Sequence, residues 1–313
     1  MSRTRTARLR ALAKINLDLR VLHRRPDGYH ELRTIFQTIS LADTIDVAYT
    51  PARRTSVEIV GDQIPDNLIA KAARLILAEM HNFAQVEFRL RKRIPMGAGL
   101  GGGSSDAAAV LLALPALAGR RIALPRLMEL AAALGSDVPF FLLGGAAVGI
   151  GRGNELYPLP AARARRGLLV APGVHVSTAE AYRALAPRLT TESPQNKIGS
   201  FQSRAWADLW HAAQAGRNDF EPVVFEQFPQ LASIKKRLVK LGACPAMMTG
   251  SGSAIFGLFD TSGQVARAAR SFRGAQCFPI SLVSRARYRN LWWRSLRPYI
   301  VDESWPPLSR YAQ

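Results

Sequence analysis

Between Pro95 and Ala109 the chain reads PMGAGLGGGSSDAAA, with five glycines (Gly97, Gly99, Gly101, Gly102 and Gly103) followed by Ser104, Ser105, Asp106 and an apolar run. Glycine permits positive φ and close approach of the backbone to a ligand. Successive N–H groups in such a loop form a concavity for anions. A helix beginning there aims its free N–H groups and the positive end of its dipole at the same spot. The two serines add hydroxyls suited to phosphate oxygens or, at Ser105, to a magnesium ion. The stretch therefore predicts a phosphate cradle, most simply for a nucleoside triphosphate.

Other readings of the glycines fit less well. A flexible linker would be flanked by polar, low-complexity sequence, whereas Val110-Leu111-Leu112 follow directly. The run 97–102 satisfies the dinucleotide pattern G-x-G-x-x-G, but the strand before it should be nearly all apolar. Here Val86, Phe88 and Leu90 alternate with Glu87, Arg89 and Arg91. No acidic residue for a ribose lies about 20 residues on. A Walker A loop is excluded because no Lys-Ser/Thr follows the glycines.

Composition bounds the partners. At 313 residues and 48% hydrophobic the chain fits a soluble protein of about two domains. It has no apolar stretch of membrane-spanning length and its basic start lacks an apolar run, so neither a secretory leader nor membrane association is expected. Cys244 and Cys277 read as reduced thiols in a cytoplasmic protein. The net charge of +19 could serve nucleic acid, an anionic small substrate or only solvation. The arginines are spread along the chain and no nucleic-acid module is recognisable, so no nucleic-acid partner is expected and an anionic small molecule is preferred. The chain is expected to act as a monomer or homodimer.

Periodicity predicts strands over 10–22, 34–41, 44–49 (with a turn at Ala42-Asp43), 56–60 and 86–90. Helices are predicted over 67–80, over 104–114 ending at Pro115, and over 125–134. On the first strand Lys14 and Asn16 share a face, and Asp18 and Arg20 are expected to be solvated there. A boundary is placed near 157–160. Beyond it come a strand at 167–172, helices at 179–185, 206–216 and 229–241, a strand–glycine turn–strand at 246–259, a helix at 265–272 and a strand at 277–283. The expected units are 1–157, nucleotide-binding, 158–284, substrate-binding, and a basic, aromatic extension at 285–313. That extension carries no recognisable motif and is expected to be dispensable for chemistry.

The loop from Pro95 to Ala107 resembles that of the GHMP kinase superfamily, which includes galactokinase, homoserine kinase and mevalonate kinase. Further motifs are Ala13-Lys14-Ile15-Asn16-Leu17, Arg25-Pro26-Asp27-Gly28-Tyr29-His30-Glu31-Leu32, Gly135-Ser136-Asp137-Val138-Pro139-Phe140-Phe141, Asn218-Asp219-Phe220-Glu221 and Gly250-Ser251-Gly252-Ser253. Together, from about Ala11 to Val283, they resemble the 4-diphosphocytidyl-2-C-methyl-D-erythritol kinase family of the non-mevalonate isoprenoid route. The resemblance implies an α+β, two-domain GHMP kinase fold. Its N-terminal domain is ribosomal protein S5 domain 2-like, and its C-terminal domain is ferredoxin-like. ATP with Mg2+ and a cytidine diphosphate-linked small substrate would meet between them.

On this resemblance Lys14 and Asp137 are catalytic, with Asp137 also touching substrate. Pro95, Met96, Gly97, Gly99, Leu100, Gly101, Gly102, Gly103, Ser104, Ser105 and Asn67 would bind the nucleotide. Asn16, Tyr29, His30, Tyr182, Gly250 and Ser251 would bind the second substrate, with Tyr29 and Tyr182 on opposite sides of the cytosine. Asp137 in Gly-Ser-Asp has a bland alternative as a helix cap, and Gly250-Ser251-Gly252 as a plain hairpin turn. Asp106, an acid close to expected phosphates, is assigned to capping the helix after the loop.

Overall fold

The computed structural model describes residues 3–61, 67–161, 164–188, 216–272 and 274–311. Most of the predicted loop over 187–203 and the helix over 206–216 lie outside them.

The first sheet grows from a long antiparallel pair, β1 (Arg5–Arg24) and β2 (His30–Pro51). The free edge of β2 takes β4 (Ala84–Arg91) along its C-terminal half and β5 (Ala146–Gly151) along its N-terminal half. β3 (Ser56–Gly61) joins β4 in parallel and β6 (Glu155–Pro158) joins β5, giving the order β3-β4-β2-β5-β6 with β1 on β2. The turn expected at Ala42-Asp43 is absent. The pairing register instead slips between Leu12 and Lys14, so the chain bends by a bulge without leaving the sheet. Asp43 is fully buried there, and one carboxylate oxygen accepts from the backbone N–H groups of Arg93 (2.6 Å) and Ile94 (2.8 Å).

Helices α1 (Leu68–Glu79), α2 (Gly102–Ala118), α3 (Leu124–Leu134) and α4 (Val138–Leu143) form the first core with this sheet. α2 runs past its expected end at Pro115 to Gly119, whose N–H bonds the Pro115 carbonyl. Proline costs the helix one hydrogen bond. Ala116 and Leu117 are fully buried just after it, and that burial outweighs the loss.

The second sheet has the order β10-β7-β9-β8, all antiparallel: β7 (Arg166–Ala171), β8 (Ala246–Met248), β9 (Ile255–Phe259) and β10 (Gln276–Ser281). With it go α5 (Thr178–Leu185), α6 (Glu221–Gln227), α7 (Pro229–Lys240) and α8 (Ser262–Arg270). One apolar cluster spans both sheets, joining Ala13, Ile15 and Leu17 of β1 to Met247, Phe256 and Leu169. The polar face departs from the expected solvation for another reason. β1 lies at the edge of the first sheet, and the glycine loop, the turn after β8 and the Arg217 backbone cover its polar residues, so Lys14, Asn16 and also Asp18 are buried. Asp18 accepts from Arg20 Nε and from the Arg217 backbone, and it is not on a solvated face.

The extension is not an appendage either. It forms α9 (Arg285–Leu296), and Tyr288, Trp292 and Leu296 are built into the first core.

Candidate active site

The glycine loop leaves β4 and enters α2 at Gly101, which stands in the left-handed region (φ 67°). Its backbone is pressed from several sides. A Cβ on Gly99 would lie 2.1 Å from the Thr249 carbonyl oxygen, and one on Gly101 would lie 2.9 Å from Phe141 Cζ. The loop and the start of α2 line a cavity of ≈ 320 Å³. Of the predicted nucleotide residues, Asn67, Pro95, Met96, Gly97, Gly99, Leu100, Gly101, Gly102, Gly103 and Ser104 face it. Asn67 caps α1 by accepting from Ile69 N–H (2.9 Å), and its buried Nδ2 has no hydrogen-bond partner. That donor is free for a base or ribose acceptor.

Ser105 does not belong to this set. Its hydroxyl is buried and donates to the Leu12 carbonyl at 2.7 Å, so it pins α2 to β1 and does not line the cavity. Asp106 does not cap α2 either. It pairs with Lys92 (2.9 Å), which also pairs with Asp43, so two buried carboxylates share one ammonium. Burial is the main cause holding the Asp106 carboxyl up to about 7, against the opposing pull of Lys92. Lys92 and Asp106 line the same cavity. Nothing in the sequence pairs Asp43 with residues so far along the chain, and only the sheet register brings them together.

Lys14 comes off β1 beneath the loop, its own N–H bonded to the Leu100 carbonyl at 3.0 Å. Its ammonium is buried, donates to Asn16 Oδ1 (2.8 Å) and stands 3.4 Å from Asp137 Oδ2. Asp137 occupies the N-cap position of α4 but makes no side-chain capping bond, and its side chain is about a third exposed. The capping alternative is therefore not realised. The carboxylate has an ammonium on one side and open space on the other.

Asn16, expected to contact substrate, is committed within the protein. Its Oδ1 accepts from Lys14, Thr249 Oγ1 (3.2 Å) and Gly250 N–H (3.0 Å), and its Nδ2 donates to Thr34 (2.7 Å). It fixes Lys14 and the turn after β8. The Gly250 N–H is occupied by the same contact, and the Ser251 hydroxyl lies 2.8 Å from that of Thr178. Thr249, missed in the sequence, joins this network and also donates to the Gly99 carbonyl at 3.1 Å. Asn218 supports the turn by donating to the Met248 and Gly250 carbonyls. Its Asn-Asp-Phe-Glu context was the signal available.

An aromatic wall lies close enough to Asp137 for the carboxylate charge to act on it. His30 stacks on Tyr182 with centroids 4.6 Å apart and planes 19° from parallel, and Tyr182 meets Phe220 edge-on. Tyr29 is half exposed under the Arg152 guanidinium, 3.6 Å above its ring. Tyr182 thus faces His30, while Tyr29 lies against Arg152. His30 Nε2 is buried without a partner. Burial first, then the charge of Arg24, holds the His30 imidazole below its ordinary range. Burial, with the nearby charge of Asp137 adding to it, pushes the Tyr182 phenol up to about 12. Both rings are therefore neutral at pH 7.

Comparisons with known proteins show the family. The model of the GHMP kinases N terminal domain matches residues 67–145, and that of the GHMP kinases C terminal domain matches residues 201–276. A 4-diphosphocytidyl-2-C-methyl-D-erythritol kinase from Solibacter usitatus is 60% identical over 99% of this chain and 99% of its own. Another from Pelotomaculum thermopropionicum is 44% identical over 79% of this chain and 87% of its own. A crystal structure of 4-(cytidine 5'-diphospho)-2C-methyl-D-erythritol kinase matches with a TM-score of 0.74 at 39% identity, covering 88% of this chain and 98% of that one. Homoserine kinase from Cytophaga hutchinsonii shares the fold at 18% identity, with a TM-score of 0.67 over 90% of this chain and 95% of its own. With its phosphate loop, its Lys14–Asp137 pair and these relatives, the chain belongs to the 4-diphosphocytidyl-2-C-methyl-D-erythritol kinase family of GHMP kinases.

Proposed function

We propose that the protein transfers the γ-phosphoryl group of ATP to the 2-hydroxyl of 4-diphosphocytidyl-2-C-methyl-D-erythritol, releasing ADP and the 2-phosphate, in the non-mevalonate route to isoprenoid precursors. The observation that carries this reading is the position of the Lys14–Asp137 pair. Lys14 is bonded through its own N–H to Leu100 of the phosphate loop and stands 3.4 Å from Asp137, whose charge acts on Tyr182 of the aromatic wall.

Phosphoryl transfer asks the protein mainly for alignment and charge stabilisation. The loop N–H groups and the start of α2 hold the triphosphate. Asp137 receives the hydroxyl proton as the new O–P bond forms and the bond from the γ-phosphorus to the β–γ bridging oxygen breaks. Lys14, with its ammonium fixed by Asn16, balances the charge spreading over the transferred group. Tyr29, His30 and Tyr182 hold the cytidine, the free Nε2 of His30 reading the base edge. The high positive charge of the chain favours the approach of two polyanions.

Magnesium fits this donor set as a companion of the nucleotide. Mg2+ commonly keeps several waters and binds one or two carboxylates plus substrate phosphates. Asp106 Oδ1 is a buried carboxylate oxygen without a partner, in a residue lining the nucleotide cavity next to Ser104. Asp106 and Ser104 would hold the ion, which would neutralise phosphate charge.

The test is ATP consumption with 4-diphosphocytidyl-2-C-methyl-D-erythritol, homoserine and mevalonate offered separately. Turnover with the cytidyl substrate alone is expected. Turnover with homoserine or mevalonate in its place would overturn the assignment.

A further inference from the structure

The catalytic helix α4 is only six residues long. A helix leaves its last four carbonyls without partners inside the helix. In so short a helix those carbonyls make up most of the element, and whatever binds them sets where the helix stands.

The C-terminal segment supplies much of that binding. Tyr288 Oη donates to the Phe141 carbonyl at 2.5 Å, and Trp305 Nε1 donates to the Leu142 carbonyl at 3.1 Å. Arg285 reaches the Gly144 carbonyl through Nε (3.3 Å) and the Ala146 carbonyl through Nη2 (2.6 Å). The fit is close. A Cβ on Gly144 would lie 2.2 Å from Tyr288 Cδ1, and one on Gly145 would lie 2.8 Å from Arg285 Cβ. Tyr288 is fully buried. The segment is itself anchored further along, where Tyr299 Oη bonds the Thr6 carbonyl and N–H, each at 3.0 Å.

At its other end α4 begins with Asp137, and its Phe141 ring rests against Gly101 of the phosphate loop. A tilt of α4 therefore displaces the catalytic carboxylate from Lys14 and disturbs the loop together. We propose that the 285–313 segment is a positioning element of the phosphoryl-transfer site. Through Tyr288, Trp305 and Arg285 it fixes α4, and with it the distance between Asp137 and Lys14. This rests on the reading of Asp137 as the proton acceptor.

The experiment uses the full chain with Tyr288→Phe, Trp305→Phe and Arg285→Met, singly and together, each combined with Asp137→Asn. Tyr288→Phe keeps the ring that fills the core and removes only the donor, so its kinetics are read on folded protein, verified by circular dichroism. Misplacement of a reacting group by about 1 Å can cost about 10²-fold. We expect kcat to fall by roughly 3–10-fold in the single variants and toward about 10²-fold in the triple variant, with both KM values within about 2-fold. Because the segment acts through Asp137, Asp137→Asn should add less in the triple background than in the wild type. Unchanged kcat in the folded triple variant would overturn the proposal. So would losses that multiply with that of Asp137→Asn, the behaviour of a merely structural role. Near-wild-type turnover of Asp137→Asn alone would instead remove the base assignment on which it rests, a distinct result.

Discussion

Gly99 and Thr249 sit backbone to backbone, with a carbonyl oxygen only 2.1 Å from where a Cβ on the glycine would stand. This contact joins the phosphate loop of the first sheet to the turn of the second. The Thr249 hydroxyl reinforces it by donating to the Gly99 carbonyl. The site is therefore built at a seam, and its two halves cannot move apart without breaking bonds that Asn16 and Thr249 make across it.

Gly99→Ala is the direct probe of that seam. The residue has φ +75°, and its added carbon would strike backbone, which cannot rotate away. Left-handed strain and overpacking together should cost about 2–4 kcal/mol of stability. The KM for ATP should rise by about 10-fold or more, since a shift of roughly 1 Å in binding groups has effects of that order. Isothermal unfolding and initial rates would check both. An alanine variant with wild-type ATP affinity would mean that the loop does not hold the nucleotide.

The buried trio of Asp43, Lys92 and Asp106 makes a prediction about stability. Lys92→Met leaves two buried carboxylates without a cation and should cost about 3–5 kcal/mol at pH 7. Asp106→Asn should cost far less. Asp106 is held up to about 7 in the fold against an ordinary 3.8. Between those values the unfolded chain has lost its proton while the folded protein keeps it, so stability should fall as pH rises through that window. The asparagine variant should lose this slope. Urea midpoints at pH 5 and pH 8 would measure it.

The cytidine wall is tested through KM. Tyr29→Ala and His30→Ala should raise the KM for the cytidyl substrate by about 10-fold or more, more than that for ATP. Such contacts bind ground and transition states alike, and stacking is worth about 1–3 kcal/mol per base. The His30 pKa lies below 6.5, so the imidazole is neutral at and above that pH. The cytidyl KM should therefore be flat on its account above pH 6.5 and rise only below it, as His30 gains a proton. A His30→Gln variant, having nothing to titrate, should lack that acid limb. If ATP affinity suffers instead, the two nucleotide sites are exchanged.

The family and the candidate site were legible in the sequence because the residues proposed for it sit in short local patterns. The glycine loop, Lys14, Asp137 and the Tyr29-His30 pair all lie in such runs. What failed required knowledge of partners distant in the chain. Asn16 and Asp18 look like a polar face on β1, but the turn after β8 and the Arg217 backbone cover that face. Asp43 reads as a turn residue until the bulge and the Arg93 and Ile94 N–H groups give it partners. Pro115 reads as a stop signal, yet burial carries α2 past it. The C-terminal segment has little apolar periodicity, and its aromatic residues find their role only against the carbonyls at the end of α4.

The central claim is that Asp137 takes the hydroxyl proton beside Lys14, and steady-state kinetics of Asp137→Asn test it most directly. Asparagine keeps the shape and removes the basicity. A general base contributes about 10²–10⁴-fold, so kcat should fall by that much with both KM values little changed. Lys14→Met should lower kcat by about 10²–10³-fold. Because the two groups stand 3.4 Å apart and act together, the double variant should lose less than the product of the single losses. Near-wild-type turnover by folded Asp137→Asn would contradict the assignment.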